Sequence, residues 1–255
     1  MLMALDSHMH INNYIQEEQE KRNALARLRK DPNIEKAINV GINYSTSKEA
    51  IELSKQNLKM YAATGIHPLY IKNQDLNELF SIASNQQVVA IGETGLDNTK
   101  DNYKEQRRYL IAQILIANNL HLPIIIHSNN CNFQVVEIFK KIVKPRYGCV
   151  FHCFQPDEET LNYLISNGWY ISFAGPITFT NAKRSLEMAK IVPEGLFLVE
   201  TNSPYLSPEP LRGSTNYSSN IIYIIEKLAE VRNTTYQHIE EVTKVNTLRL
   251  FPKLK

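Results

Sequence analysis

Short apolar runs alternating with amphipathic stretches constrain this chain more than any other feature. The runs fall at residues 2–8, 37–42, 60–65, 88–92, 123–127, 149–152, 169–173 and 196–200. They are rich in Val and Ile, as strands buried on both faces are. Helical spacing fills the gaps at 17–29, 47–53, 104–118, 133–141, 157–166 and 180–190, and continues after the last run at 220–232 and 236–250. Ser45-Thr46-Ser47 is suited to cap the second helix, and Asn233-Thr234-Thr235 to turn into and cap the last. Strand, helix, strand at this rhythm requires crossover connections and a parallel sheet. Eight such units in 255 residues predict closure into an α/β fold, a single-domain (β/α)8 TIM barrel over residues 1–255. A doubly wound open sheet would carry a glycine-rich phosphate turn after its first strand, where this chain has Asp6-Ser7-His8-Met9-His10.

Composition supplies the core and little else. The hydrophobic content of 43% can fill a large interior, and 28 Lys plus Arg against 26 Asp plus Glu leave a net charge of only +2. That balance neither announces nor excludes nucleic acid, because a phosphate-binding groove is local and bound metal adds charge of its own. Cys131, Cys149 and Cys153 have no paired spacing, which fits reduced, buried thiols better than disulfides or a cysteine zinc site. The apolar start is interrupted at Asp6, and no apolar run approaches ~18 residues. A cytoplasmic protein with no membrane association is expected, and in the absence of heptads a monomer.

The chemistry collects at the C-terminal ends of the runs. His8 and His10 close the first, His67 follows the third, Glu93 ends the fourth, His127 the fifth, His152 the sixth and Glu200 the eighth. In a barrel those ends converge on one mouth, where active sites sit. Residues two apart on a strand share a face, so His8 and His10 point the same way. A lone His-x-His is weak and more often structural. Four imidazoles and a carboxylate at one mouth are another matter, since buried Glu93 needs a cation or donors and imidazoles suit zinc, manganese or iron.

The chain resembles the TatD family of metal-dependent deoxyribonucleases, within the amidohydrolase-like barrels. The likeness runs in order through Asp6–His10, Gly65-Ile66-His67-Pro68, Ile91-Gly92-Glu93-Thr94-Gly95-Leu96-Asp97, Ile126-His127-Ser128, His152-Cys153-Phe154 and residues 168–172. It continues through Glu200-Thr201-Asn202-Ser203-Pro204-Tyr205-Leu206, Arg212-Gly213, Asn246-Thr247 and Phe251. The resemblance implies two divalent metal ions (zinc, manganese or magnesium), one held by His8 and His10, the other by His127 and His152, with Glu93 bridging them. It implies a further ligand, which also handles the attacking water, at position 202. Glu93 and residue 202 are thus the expected catalytic groups, His67 and Arg212 the expected phosphate-facing ones, and DNA, single-stranded or at a 3′ end, the expected substrate.

Position 202 departs from that pattern, because the family has aspartate where this chain has Asn202. Asparagine offers a carbonyl oxygen but no charge, and accepts no proton at neutral pH. One metal is therefore expected to be held weakly, and activity to fall by the roughly 10²–10⁴ that a general base supplies. Ser128-Asn129-Asn130 lacks a usual arginine, Gln155-Pro156 replaces Ser-Gly, Asn98 replaces an aromatic, and Asn216 is followed by Tyr217-Ser218. Several departures around one mouth point to divergence rather than to a single engineered change. The alternatives are an impaired family member that binds nucleic acid or a partner protein, and a hydrolase of another ester or amide.

Overall fold

The structure is a computed structural model that describes residues 3–13 and 18–255. Eight parallel strands follow one another around the sheet in chain order. They are β1 (Ala4–Met9), β2 (Ile34–Val40), β3 (Met60–Thr64), β4 (Val88–Asp97), β5 (Ile124–Asn129), β6 (Cys149–Phe151), β7 (Tyr170–Phe173) and β8 (Phe197–Val199). Helices α1 (Glu18–Lys30), α2 (Tyr44–Gln56), α3 (Leu76–Ala83), α4 (Tyr103–Leu120), α5 (Asn132–Lys141), α6 (Glu158–Ser166), α7 (Lys183–Ile191), α8 (Ile221–Val231) and α9 (Tyr236–Leu250) surround them. This is the expected (β/α)8 barrel. Leu2 in the first expected strand and Glu17 in the first expected helix lie outside the described residues.

Strand alternation sorts the core into two layers. Ile124, Ile126, Cys149, Phe151, Phe197 and Val199 belong to the cluster that meets helix residues such as Leu28, Ile51, Leu79, Ile114 and Ile224. Their sequence neighbours Ile125, Val150 and Leu198 join Ile38, Val40 and Phe251 in a separate cluster inside the barrel. Because side chains alternate between faces, His127 shares the inward parity of Ile125, His152 that of Val150, and Glu200 that of Leu198. The chemistry therefore continues the interior stack upward. At the other end Phe251 and Leu254, both buried, plug the barrel.

The seam between β8 and β1 closes through the segment just past β8. The Asn202 amide donates to the His8 carbonyl at 2.9 Å, and the His10 amide to the Ser203 carbonyl at 2.6 Å. Buried Asp6 reinforces the seam by accepting from the Thr201 amide (2.9 Å), the Thr201 hydroxyl (2.6 Å) and the Ser218 hydroxyl (2.7 Å). Position 202 is thus tied to the histidine pair by backbone bonds.

Three local expectations are corrected. The β4 strand runs to Asp97, so Glu93 lies within it, because residues Thr94–Asp97 keep pairing with Ile126–Asn129 after a register shift. At Gly95 an added Cβ would sit 1.8 Å from the His127 carbonyl oxygen, so only glycine lets the two strands approach there. The cap of α2 is Asn43, in a reciprocal capping box with Thr46, and Ser45-Thr46-Ser47 lies inside the helix. Helix α3, capped by Asp75, has no counterpart in the sequence reading.

Candidate metal centre

Glu93 is the hub of the mouth. Its Oε2 lies 3.5 Å from His8 Nε2 and 3.4 Å from His10 Nε2, and those two nitrogens face each other at 2.9 Å. Its Oε1 lies 2.7 Å from His127 Nδ1, 2.9 Å from His152 Nε2 and 3.3 Å from His67 Nε2. Ligand atoms ~2.0–2.1 Å from a shared ion stand roughly 3.0–3.4 Å apart in octahedral or tetrahedral arrangements. The two sets of spacings, 2.9–3.5 Å on one carboxylate oxygen and 2.7–3.3 Å on the other, bracket that range. Glu93 is only 3% exposed, so no water shell compensates its carboxyl.

Hydrogen bonds to the remote ring nitrogens decide which atom of each imidazole faces the hub. His10 Nδ1 donates to the Val40 carbonyl at 2.8 Å, leaving the Nε2 lone pair inward. His127 Nε2 donates to Asp97 at 2.9 Å, so Nδ1 faces Glu93. His152 Nδ1 donates to Glu200 at 3.3 Å, so Nε2 faces Glu93. Ser172 in turn donates to Glu200, and Gln106 accepts from the Asp97 amide while donating to the Asp97 carbonyl. Fixing tautomers through carboxylates and carbonyls is the usual outer support of a metal site. Sequence reasoning assigned no role to Asp97, Glu200 or Val40 in this support. The inward parity of Glu200 was the available signal for one of them.

His67 is built the other way round. Its Nδ1 accepts the Leu69 amide at 3.2 Å, so the neutral ring carries its proton on Nε2, the atom aimed at Glu93 Oε1. That makes it a donor beside the cluster rather than a ligand with a free lone pair. Arg212 is not brought into the cluster. It is exposed on the loop after β8, with its guanidinium 4.1 Å from the Phe179 ring centroid and 3.8 Å from Glu209.

Electrostatics carry the mark of a cation site. Burial alone would raise the Glu93 pKa, but His152 and His67 outweigh it and hold the carboxyl well below the ordinary range. Burial would lower His152, but Glu93 and Glu200 push it up to about 10. His127 is likewise raised by Asp97 and Glu93 against burial, whereas burial brings His10 down to about 3. Protein protons thus occupy part of the role a metal would take.

Among the described residues, seven buried side-chain atoms lack a hydrogen-bond partner, and two of them, His8 Nδ1 and Asn202 Oδ1, belong to expected site residues. An orphaned buried carbonyl oxygen costs about 1–3 kcal/mol, and at the seam beside His8 it is an oxygen suited to a cation or a held water. Once the proton shared between His8 Nε2 and His10 Nε2 is lost, those two nitrogens and Glu93 Oε2 form a donor set that fits a divalent ion.

A barrel with such a centre at its mouth is the class that fold and geometry define. Residues 5–252 match the family described as TatD related DNase, and the chain belongs to that family. It is 34% identical over 257 residues to the uncharacterized metal-dependent hydrolase YabD of Bacillus subtilis, covering 98% of this chain and 99% of that one. It is 36% identical over 190 residues to the uncharacterized metal-dependent hydrolase YcfH of Escherichia coli K12, covering 73% of this chain and 72% of that one. Among solved structures, a TatD homolog from Escherichia coli superposes with a TM-score of 0.88 at 24% identity over 98% of each chain, a likeness of fold.

Proposed function

We propose that this protein is a metal-dependent hydrolase of phosphodiester bonds, acting on DNA at single-stranded or 3′ ends, with catalysis slowed by Asn202. The observation that carries this reading is the orientation of His10, His127 and His152. Each is hydrogen-bonded at its far nitrogen so that its other nitrogen converges on one buried carboxylate, where a metal would displace the proton. His8 completes the first set and Glu93 joins the two. Two divalent ions held there would neutralise developing phosphate charge and raise the acidity of water. Imidazole-rich ligation favours zinc or manganese over magnesium.

The chain's own groups have separable tasks. Glu93 spans the two ligand sets. His67 presents an N–H donor toward the same space, where it can bind a nonbridging phosphate oxygen. Asn202 can orient water through Oδ1 but cannot take its proton. Arg212, outside the cluster, suits a flanking phosphate.

A 3′-labelled single-stranded oligonucleotide tests this directly, incubated with protein loaded with manganese or zinc. Shortening that disappears with chelator and with Glu93→Gln is the expected outcome. Intact DNA despite metal occupancy at the centre would remove the nuclease reading and leave a binding role for the mouth.

A further inference from the structure

Beside the metal centre lies a cavity of about 320 Å³ that the proposed chemistry does not use. It opens where β6 and β7 end. Cys153, directly after His152, lines it, and so does Ser172, whose hydroxyl donates to Glu200. Leu206, four residues beyond Asn202, forms part of its rim and is 38% exposed. Phe154, Pro156 and Ile177 form apolar wall, and none of the lining residues is an acid, a lysine, an arginine or a histidine. Its volume lies within the usual span of small-molecule sites, ~300–1,000 Å³.

Resting on the phosphodiesterase reading above, we infer that this cavity is the subsite for one nucleobase of the nucleotide adjoining the scissile phosphate. A phosphate bound at the histidine–Glu93 cluster places its substituents within the same mouth. Of those substituents, the sugar-phosphate chain is polar and charged, whereas the base is uncharged, planar and apolar on its faces. Only the base suits an uncharged, largely apolar wall that includes Phe154 and Phe173. Ser185 supplies a hydroxyl in the lining for the polar edge of the ring. Gln155 offers less, because its amide is already engaged by Asn129 and Asn130. The wall thus favours stacking over hydrogen-bonded readout, and a base would be accepted with weak sequence preference.

Ser185 sits half-buried on α7, so Ser185→Phe fills the cavity from a position that tolerates a side chain. Ser185→Leu is the smaller version should the larger one fail to fold. Two readouts apply. First, thymidine, which carries no phosphate, is titrated into labelled protein by NMR. Shifts that saturate at Phe154 and Ile177, and binding at least tenfold weaker in the filled variant, support the subsite. Shifts absent there, or equal in the variant, overturn it. Second, cleavage of a normal single strand is compared with one lacking the 3′-terminal base. The normal strand is expected to be preferred at least tenfold, with that preference lost on filling the cavity. Equal cleavage of both strands by the unmodified protein also overturns the proposal. Thymidine binding retained by a protein that cuts neither strand would instead remove the nuclease reading and leave the base site standing.

Discussion

On the proposed function, replacing Asn202 with aspartate should raise turnover. The change is nearly isosteric, and Asn202 has φ 54°, a left-handed conformation that aspartate tolerates about as well as asparagine. Its backbone bond to His8 does not involve the side chain. What changes is Oδ1, buried and without a partner, which becomes part of a carboxylate able to bind a cation and accept a proton. A general base is worth roughly 10²–10⁴ in rate, or about 2.7–5.4 kcal/mol of barrier. Without metal, the new carboxylate has one buried oxygen with no partner, so about 1–3 kcal/mol of stability should be lost. The assay is kcat on single-stranded DNA at matched metal occupancy, with melting temperature measured in chelator and in metal. The expected pattern is a gain of two to four orders of magnitude, with the variant less stable in chelator and the deficit closed or reversed by metal. Unchanged kcat in the fully loaded variant would refute the reasoning that position 202 limits turnover.

Three further outcomes follow from the geometry. Asp97→Ala removes the acceptor that fixes the His127 tautomer and should weaken metal binding by ~10–100-fold in calorimetric titration; affinity within twofold of the unmodified protein would deny Asp97 that role. His67→Ala should lower kcat by roughly 10²–10³, the cost of one donor to developing charge, while metal content stays unchanged; loss of metal would make His67 a ligand instead. In the metal-free protein, His152 is raised from 6.5 to about 10, so its stabilising contribution is complete below the unfolded value and fades as pH rises toward 10. Glu93 is depressed below 4.5, so its contribution holds above that value and fades as pH falls. Burial depresses His8, His10 and His67, which lose stability as pH falls below 6.5. Melting temperature in chelator should therefore peak near pH 6.5 and decline from 6.5 to 10; a flat or rising profile across the upper window contradicts the His152–Glu93–Glu200 pairing.

Much of the barrel was legible because buried parallel strands write themselves as short Val/Ile runs, and Ile124-Ile125-Ile126 is a clear instance. Helix α3 was not legible because it spans only eight residues, barely two turns, although its apolar face is well defined. Sequence placed Glu93 at a strand end because the apolar run stops at Gly92, yet β4 continues through Asp97 by pairing with β5. The extension, Thr94-Gly95-Leu96-Asp97, mixes polar and apolar residues and two of its four do not favour strands, so pattern alone does not mark it. The ligand candidates stood out as histidines after apolar runs. Their supports did not, because Val40 acts through its backbone, and Asp97 meets His127 only in the folded barrel. The different orientation of His67 depends on the Leu69 amide, a contact that spacing alone does not reveal.

The most direct test of the central claim is anomalous diffraction from crystals soaked with zinc or manganese. Density is expected between Glu93 Oε2, His8 Nε2 and His10 Nε2, and again between Glu93 Oε1, His127 Nδ1 and His152 Nε2, with ligand distances of ~2.0–2.3 Å. The peak on the His8 side should strengthen in Asn202→Asp. Anomalous peaks only at the surface, with the Glu93 cluster bare at saturating metal, would contradict the metal centre itself.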